Sequence, residues 1–220
     1  MVVKKAPPDP VNSLRYGGLS DKHRRIVARQ ADDPSTVLGN YRRMRVLPPP
    51  PSGADSVLEL NQVLQSQLGS TEDEREFAVM VDDDRTHYAL WLEEVGRLTG
   101  TVHRPAEVLR IVDASEGFLL ALKGEFDRAR PYQVAAVLHK PLRVLVKDPK
   151  TPAYPSGHAF ESYLLALHFS DIHPKHTFEF FALADMIADS RIVAGVHYPS
   201  DIVAGRTAAV IAYDIIRDIA

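Results

Sequence analysis

The chain has 220 residues, 45% hydrophobic and 25% charged, which is enough for one good-sized core. Its net charge of −3 gives no sign of a nucleic-acid partner, and the absence of cysteine excludes disulfides and thiolate metal sites. No stretch reaches the roughly 18 uncharged apolar residues that a membrane span needs, because the candidates carry Glu161 or Arg206 and Asp214.

Residues 1–10 lack the apolar core of a secretory signal, so the expectation is a soluble protein, cytoplasmic, or periplasmic or secreted if the chain is a trimmed mature form. Residues 1–46 carry ten Lys or Arg (Lys4, Lys5, Arg15, Lys22, Arg24, Arg25, Arg29, Arg42, Arg43, Arg45) against four Asp (Asp9, Asp21, Asp32, Asp33). They read as a basic N-terminal arm, either a solvated extension or a segment that docks on an acidic surface, such as a partner subunit, or on an anionic polymer. Leu47-Pro48-Pro49-Pro50-Pro51 is stiff and extended and sets the boundary, leaving 47–220 as a helical domain.

After the prolines the periodicity is helical throughout. Asp55 to Leu68 repeats Val57, Leu60, Leu64 and Leu68; Thr71 with Glu74 forms a capping box; Phe77, Met80, Val81, Tyr88, Trp91 and Val95 follow at helical spacing. Asp84 falls on that stripe and reads as a partner for a buried arginine, or as an exposed residue if Asp82-Asp83-Asp84 breaks the helix. Pro105 opens a helix whose buried face carries Val108, Ile111, Val112, Ser115, Leu119 and Leu122, with Lys123 on the same line and Arg130-Pro131 seven residues on.

Leu142–Val146 is the one stretch with strand-like alternation. His168, His173 and His176 gather near a loop and read as exposed histidines, with no metal expected. Phe180, Leu183, Ala184 and Ile187 place Arg191 on a buried face, where an unpaired guanidinium is prohibitive and an anion must be near. Pro199 to Ile219 carries Gly205, Ala208 and Ala212, small residues that permit close packing in a bundle. The fold class is all-α, a compact helical bundle.

Two helix starts stand out. Pro155 cannot continue a helix, Ser156 is a strong N-cap, and Gly157 permits close approach, so a helix opens with His158 in its first turn. Unpaired N–H groups and the positive end of the dipole then lie beside an imidazole, which makes an anion site. Pro199-Ser200-Asp201 is a second start, with His197 just before it. A carboxylate that holds one nitrogen of His197 would make the other a nucleophile or base.

Lys123, six residues, Arg130-Pro131; Pro155-Ser156-Gly157-His158; and Ser190-Arg191, five residues, His197, three residues, Asp201: this three-part pattern resembles the signature of the superfamily of type 2 phosphatidic acid phosphatases, bacterial class A non-specific acid phosphatases and vanadium haloperoxidases. The resemblance covers residues 47–220, and Leu47 to Leu60 also resembles the entry into the class A core. Taken singly, Lys123, Arg191 and His197 have structural readings. Eleven specified positions in order and spacing argue against them jointly.

The resemblance implies that Lys123, Arg130 and Arg191 bind phosphate oxygens, helped by the Ser156 hydroxyl and the Gly157 amide. It makes His197 the nucleophile that becomes phosphohistidine, Asp201 its orienting partner, and His158 the general acid. It implies a small phosphate monoester substrate, no metal, vanadate as an inhibitor, and a homo-oligomer in which the arm could take part. The alternatives are a vanadium-dependent haloperoxidase, with vanadate as prosthetic group on His197, against which the length of such chains argues, and a non-catalytic helical assembly module.

Overall fold

A computed structural model describes residues 10–41, 47–147 and 149–219. Eleven α-helices occur among them: α1 Pro10–Ser13, α2 Asp21–Ala31, α3 Val37–Asn40, α4 Ala54–Gly69, α5 Glu72–Met80, α6 Asp84–Thr99, α7 Pro105–Phe126, α8 Pro131–Val137, α9 Gly157–Ile172, α10 Thr177–Val193 and α11 Pro199–Ile219. The described residues contain no strand, only an isolated bridge between Arg15 and Arg128. The chain is all-α.

The helix at the centre is α9. Its buried residues Ala159, Phe160, Ser162, Leu164, Leu165, Ala166 and Phe169 point in every direction around the axis, so no face is left for solvent. It packs on α10 and α11 and is crossed by α7. On one side Phe160 and Leu164 join Ile111, Phe118 and Leu122 of α7 and Ala208 and Ala212 of α11. On the other, Leu165 and Phe169 meet Trp91 and Val95 of α6 and Phe180, Leu183 and Ile187 of α10. Full burial of each large apolar side chain contributes about 1.5–3 kcal/mol.

The predicted boundaries hold where capping chemistry sets them. The Thr71–Glu74 capping box starts α5, and Pro105 starts α7. The stripe from Phe77 to Val95 is two helices, because Asp83 caps α6 with its carboxylate on the Arg85 and Thr86 amides. Asp84 is therefore exposed at the first position of α6, and Asp82, in the turn before it, is the residue that pairs with Arg191. Leu142–Val146 is not a strand. It lies as coil along the end of α10, with Leu145 N–H on Ala194 C=O at 3.1 Å.

The stretch read as a basic arm also differs from expectation. Described residues 10–41 pack on the domain: Val37 is fully buried in the α7–α9–α11 core, and Tyr41 meets Phe118 edge to face at 5.0 Å. The buried Gln30 donates to Asp113 C=O at 2.7 Å and accepts from Gly117 N–H at 2.8 Å. Lys22, Arg24, Arg25 and Arg29 are exposed, so α2 is amphipathic, and its charge conceals a docked inner face. Lys4, Lys5, Asp9, Arg42, Arg43 and Arg45 lie outside the described residues.

Small residues on α11 let it approach α9 closely. A Cβ added at Gly205 would stand 2.7 Å from Ser156 O and 2.9 Å from Ala159 Cβ, a main-chain clash at the opening of α9. Gly205→Ala should therefore destabilise the protein by about 1–3 kcal/mol through overpacking. Thermal denaturation checks this, and an unchanged midpoint would show that α9 and α11 can separate freely.

Candidate active site

Two helix openings meet at one end of the bundle. Ser156 Oγ caps α9 by accepting Ala159 N–H at 3.4 Å, and Ser156 N–H donates to Asp201 C=O at 2.9 Å in the first turn of α11. That link fixes His158, on α9, relative to His197, just before α11. A cavity of about 400 Å³ opens beside them and includes Lys123, Arg130, Gly157, His158, Arg191 and His197 in its walls. Larger cavities elsewhere, of about 550 and 760 Å³, contain neither histidine and none of the three cations.

Each cation arrives from a different element and is buried. Lys123, near the end of α7 and 3% exposed, donates through Nζ to Pro152 C=O at 2.9 Å and Pro155 C=O at 2.7 Å. Arg130, just before α8, donates to Thr151 C=O through Nε and Nη2 and to Val196 C=O through Nη1. Arg191 of α10 is fully buried; Nη2 donates to Ala78 C=O at 2.6 Å, Nη1 lies 3.3 Å from Asp82 Oδ1, and Nε has no hydrogen-bond partner among the described residues. Neutral carbonyls hold Lys123 in place without cancelling its charge.

His197 is held with one nitrogen spoken for and the other facing a cation. Nδ1–H donates to Asp201 Oδ2 at 3.2 Å, which leaves the Nε2 lone pair to accept from Arg130 Nη1 at 2.9 Å. Asp201, fully buried, also accepts Tyr198 N–H at 2.9 Å. Behind it stands a residue that the sequence pattern did not single out. Arg128 donates to Asp201 Oδ1 at 2.5 Å, Ser200 Oγ at 2.7 Å and Glu59 Oε2 at 2.7 Å, and its guanidinium lies 4.0 Å over the Tyr198 ring. The relay Glu59–Arg128–Asp201–His197 fixes the tautomer. Its only sequence signal was a second arginine two residues before Arg130.

His158 Nε2 lies 2.9 Å from Val81 C=O, so it carries a proton that donates there, and Arg191 Nη1 at 3.4 Å acts on it as a charge. Its ring stacks on His87 at 5.2 Å. His87 is fully buried, bonded to Ser162 Oγ at 2.8 Å, and held down to about 3, first by burial and then by Arg191, so it stays neutral. Ser156 is fully buried and spends its Oγ lone pair on the helix cap. Gly157 borders the cavity beside Leu119 and Lys123.

The histidines grouped near the α9–α10 loop turn out half-buried rather than exposed. His173 Nε2 lies 2.9 Å from His103 Nε2, and His168 Nε2 lies 3.3 Å from Glu107 Oε1. Among the described residues no group of three or more histidine or acidic side chains is arranged to hold a metal ion.

Burial, then the fields of Arg130, Lys123, Arg191 and Arg128, holds His197 well below the usual histidine range. Burial and then Arg191 do the same to His158, with smaller contributions from His87 and His197. Lys123 is pushed well below the usual lysine range by burial and then by Arg130. A bound oxodianion would oppose every one of these charge effects, so the complex should hold more protons than the free protein. Affinity for a non-titrating oxodianion such as tungstate should therefore tighten as pH falls through the raised histidine pKa of the complex. Calorimetric titration across pH checks this; an affinity independent of pH would mean that neither histidine responds.

Residues 104–216 match the protein family described as the PAP2 superfamily. A non-specific acid phosphatase of Providencia stuartii is 26% identical over 175 residues, covering 76% of this chain and 70% of that protein. Among solved structures, a bacterial vanadium-dependent iodoperoxidase superposes with a TM-score of 0.63 at 16% identity, over 80% of this chain and 52% of its own. A transmembrane PAP2-type phosphatidylglycerolphosphate phosphatase from Bacillus subtilis superposes with a TM-score of 0.52 at 15% identity, over 76% of this chain and 86% of its own. This chain thus spans about half the iodoperoxidase, and both structural likenesses concern the fold. Among the described residues no helix is long and apolar enough to cross a membrane.

Proposed function

The chain belongs to the PAP2 superfamily, and we propose that it is a metal-independent phosphomonoesterase that works through a phosphohistidine. The observation that carries this reading is the convergence of Lys123, Arg130 and Arg191 with His158 and His197 in the walls of one cavity. The relative named as a non-specific acid phosphatase supports the phosphatase class.

In this mechanism the phosphoryl oxygens of a monoester lie among Lys123, Arg130, Arg191 and the amides that open α9. Arg130 Nη1 turns from His197 Nε2 toward a phosphoryl oxygen, which frees the lone pair. Nε2 attacks phosphorus as the bond to the ester oxygen breaks, and protonated His158 gives its proton to the departing alkoxide. Asp201, steadied by Arg128, stabilises the positive charge that the His197 ring acquires. Neutral His158 then takes a proton from water, whose oxygen attacks phosphorus and breaks the P–N bond, releasing inorganic phosphate and restoring both histidines. An alcohol in place of that water would give phosphotransfer. The fixed cations offset the charge that spreads over the equatorial oxygens.

Vanadate has the same charge and shape requirements, and Lys123, Arg130, Arg191 and His197 suit it as they suit phosphate. Hydrolysis of 4-nitrophenyl phosphate is the direct assay. Turnover should resist chelator and be inhibited by vanadate. His197→Ala should lower kcat by at least about 10³-fold, and Asp201→Asn by about 10²–10⁴-fold. Full turnover in His197→Ala would contradict the mechanism. Peroxide-driven bromide or chloride oxidation only after vanadate loading, with no ester hydrolysis, would favour the haloperoxidase reading instead.

A further inference from the structure

Part of the cavity around Lys123 and His197 is built from outside the residues matched to the superfamily. His23, on α2, borders that cavity together with Lys123, His158 and His197, whereas the match begins at residue 104. The segment that leads to it is fastened at several points. Tyr16 N–H donates to Asp127 C=O at 3.1 Å, and Asp127 Oδ1, just past the end of α7, accepts from Gly17 N–H at 3.2 Å and from Gly18 N–H at 2.7 Å. Tyr16 OH donates to Pro149 C=O at 2.6 Å, and Pro149 borders the same cavity. Leu19 then packs so close to α7 that a Cβ added at Gly124 would stand 3.0 Å from its Cδ1. Ser20 Oγ caps α2 by accepting His23 N–H at 3.3 Å. These contacts fix the start of α2, and with it His23, beside the last turn of α7, which carries Lys123.

The His23 imidazole has hydrogen-bonding capacity left over. Its Nδ1 is buried and has no partner among the described residues, although buried polar atoms in folded proteins are nearly always paired. The phosphoryl-transfer steps proposed above do not use it. Burial, then Lys22 and then Lys123 hold His23 below the usual histidine range, so at neutral pH the ring is neutral and offers one N–H and one lone pair. The charges near it are mixed, because the same cavity is bordered by Glu116 and Glu161 as well as by Lys147 and Lys150. Such surroundings select no net charge on a ligand. A hydroxyl, donor and acceptor at once, is the group that suits a neutral imidazole. Since His23 and the three cations border one cavity of about 400 Å³, a small ester spans both.

We propose that His23 is a specificity residue that binds a hydroxyl on the alcohol part of the substrate while Lys123, Arg130 and Arg191 hold the phosphoryl group. The inference rests on the phosphomonoesterase reading above and adds to it a contact supplied by the N-terminal segment. A hydroxyalkyl phosphate gains a hydrogen bond at His23, whereas an alkyl phosphate of the same length leaves the buried nitrogen unpaired. Residues 16–23, fastened to the end of α7 and to Pro149, serve as a fixed wall for that alcohol.

The test compares ω-hydroxyalkyl phosphates with n-alkyl phosphates of equal carbon number, using the full chain near neutral pH. At the best chain length kcat/KM should favour the hydroxyl ester by about fivefold, the worth of one neutral hydrogen bond, and because the contact is uncharged the ratio should hold in added salt. His23→Phe, which keeps a ring without its nitrogens, should bring the ratio to about one. His23→Gln, which keeps a donor and an acceptor, should retain part of it. Because the readout is a ratio on one protein sample, partial loss of folded enzyme does not move it. A ratio near one in the unmodified protein, a ratio unchanged in His23→Phe, or one that collapses in salt would overturn the role of His23 while leaving the phosphatase reading intact. Hydrolysis of neither ester series, nor of 4-nitrophenyl phosphate, would overturn both.

Discussion

One main-chain hydrogen bond joins the two halves of the site. Ser156 N–H reaches Asp201 C=O at 2.9 Å, and Gly205 lies so close to Ser156 that a methyl group would not fit between them. The openings of α9 and α11 are thereby held as a unit, and His158 and His197 take their positions from it. The cations come from α7, the residue before α8, and α10; α7 and α10 pack on this pair, and α8 packs on α1 and α4. Bundle packing therefore sets the reactive geometry, which no single loop could hold as tightly.

Electrostatics provide the second constraint. Burying Lys123 and Arg191 costs solvation energy that main-chain carbonyls at 152, 155 and 78 only partly offset. Burial, and then the same positive field, depresses His158 and His197. An oxodianion offsets the burial cost and raises the histidines at once. Anion binding and the protonation of His158 are thus linked by one field.

Much of this was legible in the sequence because capping and spacing are local. Pro155-Ser156-Gly157 and Pro199-Ser200-Asp201 open helices as expected, whereas Lys123 and Arg130 line one cavity although α7 ends at Phe126, so the turn after α7 rather than a helical heptad brings them together. What stayed hidden depends on tertiary packing. The partner of Arg191 is Asp82 rather than Asp84, because the Asp83 cap ends one helical phase and begins another. Arg128 bridges Glu59 to Asp201 only when α4 and α11 come together. The inner face of α2 was masked by its surface arginines, since Gln30 docks through a polar side chain that hydropathy does not mark.

The proposed step is covalent: His197 Nε2, held by Asp201 and facing the cations, would take the phosphoryl group. A phosphoramidate is stable in alkali, so rapid alkaline quenching of the protein during turnover of a good aryl phosphate, followed by peptide mass spectrometry, tests it most directly. One phosphoryl group is expected on the peptide that contains His197, and none when His197→Ala is treated identically. Phosphate on a different residue, or steady turnover with no labelled histidine at any quench time, would contradict it.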